Sequence, residues 1–131
     1  MLKATENWLA QVDYDLVTAE NMLRTGRFLY VVFMCHLALE KGLKALVTEE
    51  TQKTPPKSHN LIRLAQRANL SLPDDRRDFI GKMNDASIVT RYPEDLPEIV
   101  SLYPETVARE YFEKTKEIIA WLRRDPRLKK S

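Results

Sequence analysis

The chain has 131 residues, 44% of them apolar and 31% charged. It is long enough to bury one hydrophobic core, too short for two, and too apolar to be disordered. Its 21 basic and 19 acidic residues leave a net charge of +2, so charge alone gives no argument for nucleic acid or an acidic membrane as the partner. Three glycines in the whole chain are typical of long helices and not of a many-stranded β-sandwich or barrel.

The cysteine and histidine content bears on the compartment and on metal binding. Cys35 is the only cysteine, and His36 and His59 are the only histidines, which excludes a disulfide framework and the ligand set of a structural zinc. The longest apolar run, residues 28–35, is far shorter than the roughly 20 residues of a membrane span. We therefore predict one cytoplasmic domain, residues 1–131, with no metal, no cofactor and no membrane partner.

The first segment has the pattern of an amphipathic helix. Its apolar residues step by three and four positions, which places them on one helical face; they are Leu9, Val12, Leu16, Ala19 and Leu23. Thr5 is a suitable N-cap, and Gly26 can adopt the left-handed conformation that ends many helices. We predict a helix from Thr5 to Thr25.

The second segment begins with FLYVVFMC, which suits a buried strand as well as a helix. Helical spacing continues through HLALEKGLKALV without a break, so we predict one helix over residues 28–49. Its first half is apolar on all sides, as in the central helix of a bundle or half of a subunit interface. Gly42 weakens this helix by about 1 kcal/mol against alanine, and the close approach of another helix would explain it.

Prolines divide the second half of the chain. ETQKTPPKS predicts a loop, after which Ser58 can cap a short helix over residues 59–68. A fourth helix begins near Pro73, and residues 91–104, with three prolines, predict an irregular connection. A last amphipathic helix begins at Pro104 and ends before Pro126, and the basic tail RLKKS is expected to fray. The pattern predicts an all-α fold, an up-and-down bundle of four to five helices.

A polar column lies beside the apolar stripe of the second helix. His36, Glu40 and Lys44 are four residues apart, so their side chains share one face. One interpretation is a solvated helix face on which Glu40 pairs with Lys44. The other is the floor of a cleft, in which Lys41 and Lys44 meet an anionic ligand.

Two further segments carry candidate ligand-binding residues. His59 follows Lys57 at the predicted start of a helix, where free backbone amides attract a phosphate. The alternative is that His59 helps to cap that helix or packs against the preceding loop. Arg91, Tyr92 and Asp95 surround a proline in the long connection. The arginine can grip a phosphate while the ring stacks on a base, and the alternative is a structural corner in which Arg91 bonds Asp95 or a helix end.

Other chemistries lack their motifs in this chain. No GxxxxGK[ST], GxGxxG, HExxH, EF-hand loop or GxSxG is present, which excludes the phosphate loops, zinc proteases and hydrolase elbows that these motifs mark. Cys35 lies within the apolar stretch and is expected to be a core residue and not a nucleophile.

Taken in order, CHLALEKGLKALV, KSHNLIRLA and IVTRYPED, followed by the closing amphipathic helix, resemble the HEPN family, the higher eukaryotes and prokaryotes nucleotide-binding domains. The likeness covers nearly the whole chain. It implies a small helical bundle that is commonly a homodimer. For many bacterial and archaeal members it also implies a minimal nucleotidyltransferase as the partner in a toxin–antitoxin pair.

Many HEPN proteins are ribonucleases that use an arginine followed, after four to six residues, by a histidine at a dimer interface. This chain lacks that motif, because no histidine follows Arg91 and neither His36 nor His59 has an arginine at the required distance upstream. Without it, the general acid/base that RNA cleavage needs near neutral pH has no obvious holder. The resemblance therefore points to the non-ribonuclease branch, here with an RYP motif.

What the resemblance implies is a nucleotide-binding and interaction module with no catalytic residue, binding a nucleotide or RNA. The implied ligand contacts are Arg91, Tyr92, His59, Lys57, Lys44 and Asp95. The alternative is a divergent, metal-independent ribonuclease whose acid/base is not the usual histidine. A third hypothesis is that Tyr92 or another tyrosine accepts a nucleotidyl group from the partner.

Overall fold

A computed structural model describes residues 1–129, and within that range the chain forms six α-helices and no strand. The helices are α1 (Lys3–Arg24), α2 (Phe28–Thr51), α3 (Leu61–Arg67), α4 (Asp74–Arg91), α5 (Leu96–Leu102) and α6 (Glu105–Arg123), followed by a 3₁₀ turn, Pro126–Leu128. The predicted all-α bundle is confirmed, with one short helix more than expected. In the same range, no helix is both long and apolar enough to cross a bilayer.

Helix α2 is the centre of the bundle. Helices α1, α3, α4 and α6 all pack on it, and its apolar residues, Cys35 among them, are buried. Burial of each such leucine or valine contributes roughly 1.5–3 kcal/mol. A Cβ added to Gly42 would lie 3.2 Å from a methyl group of Leu122 and 3.3 Å from one of Ile119. The predicted close approach of another helix at Gly42 is therefore confirmed, and that helix is α6.

The predicted N-cap of the first helix is wrong, although its end is correct. Helix α1 begins at Lys3, so Thr5 lies inside it and is buried. The hydroxyl of Thr5 donates to the carboxylate of Glu49 on α2 at 2.5 Å, a contact that ties the two helices together. Gly26 follows the helix with φ +79°, as the sequence predicted.

The third helix is also capped by a different residue. Helix α3 begins at Leu61, and the side chain of Asn60, not that of Ser58, accepts the backbone N–H of Arg63 at 3.1 Å. His59 thus lies in the loop before the helix. The predicted capping role of His59 is therefore wrong, because Asn60 takes it, and the predicted phosphate contact of His59 stays a prediction.

The connection over residues 91–104 is not irregular throughout. Helix α4 continues to Arg91, and the carboxylate of Asp95 accepts the backbone N–H of Glu98 at 3.2 Å to begin α5. The prolines suggested no helix in this segment, but the Asp95 cap begins one. Pro97 is tolerated because it lies in the first turn, where its missing N–H costs nothing. No residue of α5 is buried, so this helix lies on the surface.

The predicted fraying of the tail is wrong for its first two residues. Leu128 is buried in the core, and the guanidinium of Arg127 donates to Asp125 at 2.9 Å and to Glu50 of α2 at 3.1 Å. These contacts attach residues 127 and 128 to the bundle. Residues 130–131 of the predicted tail lie outside the described residues.

Candidate functional site

The polar column of α2 is buried. His36 has no exposed surface, Glu40 is 4% exposed and Lys44 is 8% exposed, because other helices cover α2 on this side too. The Lys44 ammonium donates to Glu40 Oε2 at 2.9 Å and lies 5.6 Å from the centre of the Trp8 ring. The predicted pairing of Glu40 with Lys44 is confirmed, whereas the predicted solvation of this face is wrong.

The other carboxylate oxygen of Glu40 binds His59. His59 Nδ1 lies 2.8 Å from Glu40 Oε1, and the backbone carbonyl of His59 lies 3.0 Å from Nε2 of His36. Two bonds, one from the side chain and one from the backbone of His59, thus attach the loop before α3 to α2. The imidazole of His59 is nevertheless 61% exposed, so its far edge reaches solvent.

The charge states of the two buried groups follow from their contacts. Burial alone would raise the pKa of Glu40, but the hydrogen bonds from Lys44 and His59 outweigh burial and lower that pKa below its ordinary value. Burial lowers the pKa of His36 to about 4, and the attraction of Glu40 only partly opposes this. Near neutral pH the site therefore contains an ionised Glu40 and a neutral His36.

Lys41, the other lysine of the predicted cleft, is already engaged. Its ammonium lies 2.8 Å from the carboxylate of Asp15 on α1, which is itself buried. Both lysines of the predicted cleft therefore pair with carboxylates of the protein itself. The anion that the column holds is the protein's own Glu40.

Arg91 comes to this column from the last turn of α4. Its guanidinium lies 5.0 Å from the centre of the Phe33 ring on α2, within the range of a cation–π contact, and its charge helps to lower the pKa of His36. Asp95 does not hold Arg91 in a corner, because its carboxylate caps α5. Tyr92 points to solvent and is 76% exposed.

A shallow groove of about 300 Å³ opens beside His59. We call it the His59 groove; it is lined by His59, Asn60, Asn84, Asp85, Ser87 and Ile88. Asn84 ties its two walls together, since its side chain accepts the N–H of Leu61 at 2.9 Å and donates to Asn60 at 3.0 Å. Arg91 is seven residues after Asn84 on α4, which places it on the same helical face, two turns along.

The structure thus brings together only part of the predicted ligand-binding set. His59 and Arg91 both lie near His36, and Lys57 is exposed in the loop just before His59. Lys44 binds the oxygen of Glu40 that does not contact His59, and Asp95 caps α5. Asn84 and Phe33 were not predicted. The helical spacing between Asn84 and Arg91 could have indicated Asn84, whereas no local signal in the sequence marks Phe33.

Fold and site together define a helical bundle in which a buried carboxylate holds a solvent-facing histidine near an arginine. The model of the HEPN domain matches residues 5–125, and the chain belongs to the HEPN domain family. No curated protein sequence matches it significantly.

Two solved structures share the fold. TT1696 from Thermus thermophilus is 24% identical, with a TM-score of 0.78 over 92% of this chain and 97% of that one. ST0689, an archaeal HEPN homologue, is 21% identical, with a TM-score of 0.66 over 93% of this chain and 97% of that one. At these identities the likeness concerns the fold alone.

Proposed function

We propose that the chain is a nucleotide-binding and interaction module whose ligand lies in the His59 groove. One observation supports this above the others: His59 lines an open groove, and Arg91, which comes from a different element, lies near the same buried His36 that His59 contacts. Arg91 supplies a planar cation for a phosphate. Asn60 and Asp85 supply donors and acceptors for a sugar or a base.

The partners belong to the same proposal. Large apolar side chains are exposed along the end of α4 and on α5; they are Ile88, Val89, Tyr92, Leu96, Val100 and Leu102. An exposed apolar patch beside a ligand-binding site is typical of a protein–protein interaction surface. We propose that it supports a homodimer and contact with a minimal nucleotidyltransferase, as in toxin–antitoxin pairs of the family.

Ligand binding is tested by calorimetric titration of the purified protein with adenosine monophosphate. The Arg91→Ala variant should bind at least tenfold more weakly, because a charged hydrogen-bond donor to the phosphate is lost. Arg109→Ala is the matched control, since Arg109 lies on the surface of α6 in a pair with Glu105, and it should bind as the wild type does. Equal affinity of all three proteins would contradict the proposed site.

The interaction role has its own test. Light scattering of the purified protein at micromolar concentration should give the mass of a dimer. The double variant Leu96→Lys/Val100→Lys, which places charge on the exposed face of α5, should give a monomer with unchanged helical content. A wild-type monomer would remove the support for the dimer. Co-purification with a minimal nucleotidyltransferase, lost in the same variant, tests the second partner.

A metal-independent ribonuclease is the second candidate, and His59 is the observation that favours it. In such a reaction the 2′-oxygen of RNA attacks the phosphorus and its proton passes to a base, here Nε2 of His59. The bond from phosphorus to the 5′-oxygen breaks, which leaves a 2′,3′-cyclic phosphate. The 5′-oxygen takes a proton from water, and the hydroxide formed is neutralised by the proton that His59 took up. Cleavage of RNA in the presence of a chelator, lost in His59→Ala and in Arg91→Ala, would establish this reaction. Intact RNA in the wild-type incubation would exclude it.

A further inference from the structure

The hydrogen bonds of the two histidines assign them opposite tautomers. The partner of His36 Nε2 is the backbone carbonyl of His59, which can only accept, so Nε2 of His36 carries the hydrogen. Since burial keeps His36 neutral, its Nδ1 is bare. That atom is buried and has no hydrogen-bond partner among the described residues.

His59 has the reverse arrangement. Its Nδ1 faces the carboxylate of Glu40 at 2.8 Å, and an ionised carboxylate can only accept a hydrogen bond. Nδ1 of His59 therefore carries the hydrogen, and in the neutral ring Nε2 is the bare nitrogen. Because the side chain is 61% exposed and lines the His59 groove, the basic nitrogen is available to a ligand there.

Lys44 completes the arrangement from the far side of the carboxylate. It binds Oε2 of Glu40 and leaves Oε1 to His59. A buried carboxylate without a compensating charge would tend to take up a proton, and a protonated Glu40 could donate to His59 and reverse its tautomer. Asp85 of α4 also lines the groove and adds a negative charge there, and Arg91 lies near His36.

We infer that Glu40 and Lys44 are positioning residues that hold His59 with Nδ1 protonated, so that the His59 groove presents a proton-accepting Nε2 near the Arg91 cation. The ligand class that fits is an anion with a neighbouring hydroxyl group, as in a ribose phosphate. The hydroxyl would donate to Nε2 of His59, and the anion would meet Arg91. The ligand part of this inference rests on the proposed function, whereas the tautomer does not.

The tautomers are measured by long-range ¹H–¹⁵N NMR spectroscopy of the full chain without ligand, at about pH 8.5, well above the ordinary histidine pKa of about 6.5. We expect two opposite patterns. One ring should show a protonated Nδ1 and a bare Nε2, and the other the converse. His59→Gln assigns the signals by removing one set. Two rings with the same pattern, or a protonated Nε2 on His59, would overturn the inference.

The positioning role is tested with the double variant Glu40→Leu/Lys44→Met, which replaces the ion pair with apolar side chains of similar volume and leaves no buried charge unpaired. His59 should then show a mixture of tautomers. His36 should keep its pattern, because its partner is a backbone carbonyl, and it serves as the internal control for an intact fold. A single Nδ1-protonated form of His59 in this variant would refute the role of Glu40. Should the variant not fold, the wild-type spectrum still decides the tautomer.

The ligand class is tested by comparing adenosine 3′-monophosphate with its 2′-deoxy analogue on the wild-type protein. Loss of the hydroxyl should weaken binding by about threefold to tenfold, the usual range for one hydrogen bond. In His59→Gln, whose amide offers a different acceptor geometry, the two ligands should differ less. Equal affinities for wild type would overturn the hydroxyl contact alone, whereas no binding of either ligand would overturn the proposed nucleotide site and leave the NMR result standing.

Discussion

Helix α2 and the segment from Arg91 to Leu102 both carry charged residues in motifs, yet they treat charge in opposite ways. Both carboxylate oxygens of Glu40 on α2 have a partner, and the residue is almost fully buried. Asp95 is exposed and makes one local bond, to Glu98. A buried charge must have partners, because an unpaired one costs several kcal/mol, whereas water serves an exposed one. The buried charge of α2 therefore requires particular long-range partners, whereas the exposed charges of the 91–102 segment do not.

The strongest way to break this comparison is to remove the buried acid. Glu40→Leu should lower the free energy of unfolding by about 3–5 kcal/mol, because it leaves the Lys44 ammonium buried without its partner. Urea denaturation at pH 7 measures this. Glu40→Leu/Lys44→Met should recover most of the loss. If the single variant is as stable as wild type, Lys44 reaches water without Glu40 and the network is not structural.

Acidification sharpens the comparison through His36. The pKa of its buried ring is lowered to about 4, while the unfolded chain takes up the proton near pH 6.5. Between pH 6.5 and 4 the unfolded chain therefore takes up a proton that the buried ring does not. The free energy of unfolding is highest above pH 6.5 and falls by about 3 kcal/mol in total as the pH falls toward 4. His36→Gln should remove this part of the pH dependence in urea denaturation. An NMR titration midpoint of His36 near 6.5 would contradict the prediction.

Two glycines allow the same comparison for packing. Gly42 of α2 faces side chains of α6 at 3.2–3.3 Å, whereas Gly81 of α4 has nothing within 4 Å of an added Cβ. Gly42→Val should lower the stability by about 1–3 kcal/mol through overpacking. Gly81→Val should change it by less than about 1 kcal/mol, toward greater stability, since valine has the higher helix propensity. Thermal denaturation distinguishes the two, and similar losses would show that α4 is also tightly covered there.

The smallest effects concern the caps of the two seven-residue helices. Asn60 and Asp95 each accept a backbone N–H three residues on. Asn60→Ala should cost about 1 kcal/mol or slightly more, because α3 buries Leu61 and Leu64 in the core and Asn60 also binds Asn84. Asp95→Ala should cost less than about 0.5 kcal/mol of global stability. Equal losses would show that α5 is coupled to the core.

The sequence predicted the helices better than their ends. The periods of three and four that mark α1, α2 and α6 arise within each segment, and a helix satisfies its own backbone hydrogen bonds, so neither depends on the rest of the chain. Whether a residue caps a helix depends on the other hydrogen-bond partners that compete for its side chain. Thr5 had the right chemistry for an N-cap, but Glu49 of α2 provided a better partner for its hydroxyl. Asp95 began a helix where the prolines alone suggested a loop.

For the site, the sequence alone determined which residues share a face: His36, Glu40 and Lys44 on α2, because four residues make about one helical turn. Only the tertiary structure decided that this face is covered and that Glu40 binds His59, 19 residues away. Burial depends on which helices pack over a residue, and a period of 3.6 does not encode that. The same polar column would be a solvated surface in one bundle and, as here, a buried network that holds a histidine at the edge of a groove.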